Sequence, residues 1–223
     1  MINRRINYHR TFEQNSTGRD FFVGDVHGHY SLLLQQLKEI GFSPEKGDRL
    51  FCSGDLINRG DESAQCIELL LAPWFFATQG NHEEMLLTLE ADNSFLNDII
   101  KVGGEWLCSY TQDSKELNRL INIIYSRTFL AFTVKTSLSN VGVIHAKAPD
   151  DWLAISKRQL NAEEESACIW SGENHYIKSN KIIKNIDLVV SGHVNCDNLS
   201  IDGNQIWIDA LRLTGRLTIL TAE

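Results

Sequence analysis

Short apolar runs rich in β-branched and aromatic residues recur along the chain and stop at Gly, Asp, Asn or His: DFFVGD (20–25), RLFCSGD (49–55), WFFATQGN (74–81), NVGVIHA (140–146) and DLVVSGH (187–193). Runs of this length with polar ends are the pattern of buried strands. Between them, apolar residues recur at helical spacing: Leu33, Leu34, Leu37 and Ile40 after the first run, Ile67, Leu70 and Leu71 after the second, Met85, Leu86 and Leu89 after the third. The opening therefore reads βαβαβα, an α/β arrangement with a parallel sheet. A further helix is predicted over 115–127, with Leu117, Leu120, Ile121 and Ile124 on one face. FLAFTVK (129–135) then turns through SLSN into the fourth run as a hairpin. The end, LSIDGNQIWIDALRLTGRLTIL (199–220), alternates and turns like a β-meander, with Asp202-Gly203-Asn204 as one turn.

Composition narrows the classes. At 43% hydrophobic and 22% charged, the chain has the profile of a folded globule, and 223 residues suit one α/β domain spanning 1–223. No stretch approaches the roughly 18 apolar residues of a membrane helix, and the basic start MINRRINYHRTF leads into no apolar run, so neither membrane insertion nor secretion is expected. Cys52, Cys66, Cys108, Cys168 and Cys196 lie far apart without a C-x-x-C pair, which predicts reduced thiols in a cytoplasmic protein. The net charge of −8, with no Lys/Arg stripe, argues against nucleic acid as a partner. An anionic substrate then needs cations in the site to reverse the local field. A monomer is compatible with the sequence.

Each of the five runs delivers a His, Asp or Asn at its C-terminal end, where α/β sheets hold their ligands. Asp25 and His27 are two residues apart, so in an extended segment both side chains point to one side and can chelate one ion. Asp55 ends the second run, and a carboxylate has two oxygens with which to bridge two cations about 3.5–4 Å apart. Arg59, four residues on, brings a planar fork suited to an anion held by those cations. Asn81 opens a predicted helix and offers an amide oxygen to a metal, and His82 beside it is a candidate general acid. His145 and His193 complete the set. Taken singly, most of these read more readily as a turn residue, a cap or a boundary histidine. All of them in sequence order do not.

The motifs GDVHG (24–28), GDLINRG (54–60), GNHE (80–83), His145 and GHV (192–194) resemble, in order and spacing from about residue 20 to 210, those of the calcineurin-like metallophosphoesterases. APWFFATQGNHEEM (72–85) and Gly103-Gly104-Glu105-Trp106 are similar to the small serine/threonine protein phosphatases of phage lambda and bacterial type within that family. The resemblance implies a β-sandwich of mixed sheets flanked by helices in place of a wholly parallel sheet. It implies that Asp25, His27 and Asp55 hold one metal, that Asp55, Asn81, His145 and His193 hold a second, and that His82 and Arg59 serve catalysis and phosphate binding. The implied cofactors are two divalent ions, Mn²⁺ first, with Fe or Zn as alternatives. The implied reaction is hydrolysis of a phosphoprotein by a metal-activated water, attacking phosphorus in line.

Departures from the pattern matter. Position 58 is Asn where the protein phosphatases carry an Asp that orients the general-acid His; Asn58 is expected to accept the His82 ring N–H through its amide oxygen without supplying charge. Trp170-Ser171-Gly172 replaces Trp-x-Arg, so a second phosphate-binding Arg is missing at Gly172, with Lys147 or Arg212 as candidate substitutes. Asp209-Ala210-Leu211 replaces Asp-Thr-Gly. Three classes remain: a protein phosphatase, a nucleotide hydrolase related to the diadenosine tetraphosphatases, and a weakly active member that binds metal and phosphoprotein.

Overall fold

The computed structural model describes residues 7–91, 95–110, 114–170 and 180–222. Its first half alternates strands with helices: β1 (Asn7–Phe12), β2 (Asp20–Val23), α1 (Tyr30–Glu39), β3 (Arg49–Cys52), α2 (Ser63–Leu69), β4 (Phe75–Thr78) and α3 (Asn81–Ala91). Then come α4 (Leu96–Lys101), α5 (Lys115–Arg127), the hairpin β5 (Thr128–Lys135) and β6 (Asn140–Ile144), α6 (Leu153–Ser156) and α7 (Ala162–Ile169). The chain closes with β7 (Leu188–Asn195), β8 (Ser200–Asp202), β9 (Gln205–Asp209), α8 (Leu211–Thr214) and β10 (Ile219–Thr221). The strands follow one hydrogen-bonded path, β10-β2-β3-β4-β5-β6-β7-β9-β8. β2 to β5 are mutually parallel, as are β6, β7 and β9, while β5 meets β6 antiparallel.

That path folds on itself at β5. The first two residues of β5 pair with β4 (Ala77↔Thr128, Thr78↔Phe129), and β1 takes over from Asn7↔Phe129 to Phe12↔Val134. Between the two leaves lie Phe12, Phe22, Phe51, Phe132, Val134, Val141, Val143, Val190 and Ile208, with ring centroids 4.9 Å apart for Phe12–Phe51 and 6.2 Å for Phe51–Phe132. The outer faces are covered by α1, α2, α3 and α5 through Leu33, Ile67, Leu86 and Ile124, and by α6 and α7 through Ile155 and Ile169. The fold is thus the mixed, helix-flanked sandwich expected, built from one continuous sheet.

Two parts of the sequence reading are corrected. Only β8 and β9 of the supposed meander pair with each other; α8 then ends at Gly215 with φ 69°, and β10 crosses to pair antiparallel with β2. An open β2 edge beside the site offers unpaired backbone groups, which LTIL satisfies. The strand β1 was not anticipated, because only Tyr8 and Phe12 of its six residues are buried apolar side chains, too few to register as a pattern. No helix among the described residues is long and apolar enough to cross a membrane.

Candidate metal centre

The C-terminal ends of β2, β3, β4, β6 and β7 converge, and left-handed residues stand at those of β2, β3 and β7. Of eight described non-glycine residues with positive φ, five belong to the predicted site: His27, Asp55, Asn58, Arg59 and His193. Each such residue costs about 1–3 kcal/mol, and strain of that kind collects where function requires it. The turns are cross-tied: the amides of Val26 and His27 donate to Asp55 O (3.1 and 2.8 Å), and that of Gly28 to Leu56 O (2.8 Å). Buried Glu83 accepts from the amides of Asp55 (2.9 Å), Leu56 (2.8 Å), Ile57 (3.3 Å) and Gly80 (2.9 Å), fastening the β3 and β4 turns to the start of α3.

All six predicted ligands meet. His27 Nε2 lies 3.9 Å from Asp25 Oδ2 and 3.7 Å from Asp55 Oδ2, and His145 Nε2 lies 3.5 Å from Asp55 Oδ1. Asn81 Oδ1, His145 Nε2 and His193 Nδ1 form a triangle with sides of 2.9, 3.0 and 3.1 Å. Ring tautomers follow from the backbone: His145 Nδ1 donates to Ser53 O (2.8 Å) and His27 Nδ1 to Ile57 O (3.1 Å), leaving each Nε2 as a lone-pair donor facing the cluster. His145 Nε2 therefore faces the Asn81 carbonyl oxygen with two acceptors 2.9 Å apart. A cation relieves that repulsion, since ligands at about 2.1 Å on adjacent coordination sites sit about 3 Å apart. Asp55 belongs to two such groups, one with His27 and His82 and one with His145 and His193, and so can serve both.

The electrostatics agree. Burial pushes Asp55 up to about 7, and burial with Asp209 and Asp55 alongside raises Asp25 well above the carboxylate range. Burial lowers His145 to about 4 and His82 to about 3, with the Arg59 charge adding to both shifts. Crowded acids short of positive charge, beside histidines held neutral, are what a cation site presents before its cations are counted. Arg59 itself is exposed at the rim, its backbone braced by Gly103 O (2.7 Å).

The environment of Asn58 corrects an expectation. The indole N–H of Trp106 donates to Asn58 Oδ1 (2.8 Å), and an indole can only donate, so the amide oxygen is committed there. Asn58 Nδ2, 2.8 Å from His82 Nδ1, must then donate to the ring instead of accepting from it. His82 is thereby kept neutral with its proton on Nε2. Trp106 and Glu83 lay inside recognised motifs, yet no role was read for either; nor was one read for Ser53, whose hydroxyl donates to Asp25 Oδ1 (3.2 Å), or for buried Asp209. The Gly172 position lies outside the described residues; nearby, Trp170 Nε1 donates to Glu84 Oε2 (2.5 Å). Of the substitutes proposed for the missing arginine, Lys147 and Arg212 are both exposed, and the charge of Arg212 is felt at Asp209.

The chain is similar to known proteins. The sequence model of the family described as calcineurin-like phosphoesterase matches residues 21–197. Serine/threonine-protein phosphatase 2 of Salmonella typhimurium is 34% identical over 195 residues, 84% of this chain and 84% of that protein. The symmetrical bis(5'-nucleosyl)-tetraphosphatase of Haemophilus influenzae is 28% identical over 162 residues, 72% of this chain and 55% of that protein. Among solved structures, a protein serine/threonine phosphatase from Saccharomyces cerevisiae superposes with a TM-score of 0.66 at 16% identity, over 92% of this chain and 71% of that one, a likeness of fold alone.

Proposed function

Because this chain belongs to the calcineurin-like phosphoesterase family, a family of metal-dependent hydrolases, we propose that it removes phosphate from phosphoserine and phosphothreonine in proteins. The observation that carries the reading is the meeting of Asn81 Oδ1, His145 Nε2 and His193 Nδ1 within 2.9–3.1 Å beside Asp55, where His145 Nε2 and Asn81 Oδ1 present lone pairs to each other. In this reading Asp25, His27 and Asp55 hold one divalent ion and Asp55, Asn81, His145 and His193 a second, with Mn²⁺ the first candidate. Such ions supply a water of lowered pKa and positive charge opposite the phosphoryl oxygens. Arg59 adds its fork to those oxygens from the rim, and neutral His82 offers its Nε2 proton as a hydrogen bond to the leaving oxygen. Glu83 keeps the β3 and β4 turns in register with α3. Residues 1–223 act as one catalytic domain, and five unpaired cysteines suit a cytoplasmic setting.

The Asn58 amide favours a second reading. A His82 that is not charged is a poor proton donor to an alkoxide, yet suffices for a phosphate leaving group, as in a nucleoside polyphosphate. The two are separated by one assay of metal-loaded protein on a phosphoserine peptide, an aryl phosphate and diadenosine tetraphosphate. The protein phosphatase reading requires kcat/KM to be highest on the peptide. Preference for the dinucleotide replaces it with the second, and no turnover on any of the three, with or without Mn²⁺, defeats both.

A further inference from the structure

Asp209 ends β9 with 1% exposure, and its Oδ1 is buried without a hydrogen-bond partner. Buried carboxylate oxygens are not left in that state unless something other than the polypeptide meets them. One ligand atom each from Asp25, His27 and Asp209 lie within 4.8 Å of one another. Two ligands on opposite sides of an ion at about 2.2 Å are about 4.4 Å apart, so three atoms this close can reach one ion with little movement. The backbone places Asp209 there deliberately. A Cβ on Gly24 would stand 2.3 Å from Ile208 O, so the β2 turn approaches the end of β9 only because residue 24 has no side chain. Asp209 O in turn accepts from the amide of Cys196 (2.8 Å), which pins β9 to the end of β7.

We propose that Asp209 is a fourth protein ligand of the ion held by Asp25, His27 and Asp55, an inference that rests on the dinuclear reading above. The two positions then differ in chemistry. The first presents three carboxylates and one imidazole, a hard, oxygen-rich set suited to Mn²⁺ or Mg²⁺. The second presents two imidazoles, an amide oxygen and the shared Asp55, a set more tolerant of Zn²⁺. Asp209 is what tips the first position toward hard ions.

The test is calorimetric titration of chelator-stripped protein with Mn²⁺ and with Zn²⁺, for the native chain, Asp209→Asn and Asp209→Ala, with Mn²⁺ counted independently by electron paramagnetic resonance. The native chain should take up two Mn²⁺. Asp209→Ala should weaken one of them about 10–100-fold and leave the other unchanged, and Asp209→Asn, which keeps an oxygen but loses the charge, should fall between. Zn²⁺ at the nitrogen-rich position should not respond. Thermal melts of the stripped proteins distinguish a ligand from a structural prop: a ligand removed without its ion relieves repulsion with Asp25, so neither variant should melt below the native chain. Unchanged affinity for both Mn²⁺ in both variants, or a lowered melting point of the stripped variants with affinities intact, overturns the proposal and leaves the function standing. A native chain that binds no Mn²⁺ sinks the function and this proposal together.

Discussion

The turns after β2, β3 and β4 carry Asp25, His27, Asp55, Asn58 and Asn81, and they are tied to one another by backbone amides and by the four hydrogen bonds that Glu83 accepts. The strand ends of the other leaf, which carry His145 and His193, are oriented by the first set: the His145 ring donates to Ser53 O and the His193 amide donates to Asp25 Oδ2 (2.9 Å). β7 also changes register between Ser191 and Asn195, a bulge that turns His193 toward the site. One leaf is organised by its own contacts, and the other is aimed by contacts to the first. Damage to the first leaf should therefore spread across the site, while damage to the second should stay local.

The largest effect should come from Asp55→Asn. Asp55 approaches His27, His82 and His145, and its Oδ1 also accepts the His82 amide (3.0 Å) at the start of α3. Loss of its charge weakens both metal positions, and turnover should fall about a thousand-fold, the equivalent of several kcal/mol of transition-state charge stabilisation. His145→Ala should empty only one position. Metal counting on the two purified variants checks this; equal losses would deny the asymmetry.

Metal removal should expose the same imbalance through pH. Glu83 at about 8, Asp55 at about 7 and Asp209 at about 6, all raised by burial, bind protons more readily folded than unfolded, so stripped protein gains stability as pH falls from 8 toward 6. His145 at about 4 and His82 at about 3, lowered by burial, stay neutral while an unfolded chain takes up protons near 6.5, which offsets part of that gain below about pH 6.5. The stripped protein should melt higher near pH 6 than at pH 8, with a shallower dependence below that, and Mn²⁺ should remove the alkaline decline by pairing the acids. A stripped protein that melts highest at pH 8 would contradict this account.

The difference between the leaves also explains what the sequence disclosed. βαβ crossovers place successive turns at one edge of a parallel sheet, so the convergence of Asp25, His27, Asp55, Asn81 and His82 could be read from local motifs alone. His145 and His193 were legible as strand-end residues, but not the bulge that aims His193. Asp209 ends an apolar strand as Asp25 and Asp55 nearly do, and Asp209-Ala210-Leu211 stands where the family reads Asp-Thr-Gly, yet a single Asp in a turn is too common to be given a role on that ground. That it is buried with an unpaired oxygen is a property of tertiary packing. Trp106 stands far from Asn58 in sequence, so the direction of the Asn58 amide was invisible until the indole was placed against it. The doubling-over at β5 depends on β1, whose two buried aromatic positions give almost no periodic signal.

Gly192→Ala probes the seam between the leaves. A Cβ there would lie 1.8 Å from Asp25 Oδ1 and 2.6 Å from Ser53 Oγ, so either the carboxylate or the end of β7 must move. Overpacking of this kind costs about 1–3 kcal/mol. The variant should bind Mn²⁺ about tenfold more weakly at the Asp25 position, within the range found when residues that orient metal ligands are altered. Native-like affinity at that position, measured by titration, would show that the two leaves are not in register there.

The smallest effect, and the one confined to the first leaf, concerns Asn58, Trp106 and His82. With the amide oxygen taken by the Trp106 indole, the amide N–H₂ faces His82 Nδ1 and disfavours a proton on that nitrogen. Asn58→Asp replaces that donor with an acceptor while the indole retains its oxygen partner, so His82 should protonate more readily and donate more effectively to a leaving alkoxide. Turnover on a phosphoserine peptide should rise about tenfold relative to an aryl phosphate, a modest share of the 10²–10⁴-fold span of acid catalysis, because burial still opposes the charge. The limb of the pH profile that reports loss of this proton should move to higher pH. Trp106→Phe removes the constraint without adding charge: the Asn58 amide can then turn its oxygen toward the ring, and the substrate ratio should shift in the same direction by only a few-fold. An Asn58→Asp variant that accelerates both substrates equally would mean that proton donation by His82 does not set the rate, and that the Asn58 amide only orients the ring.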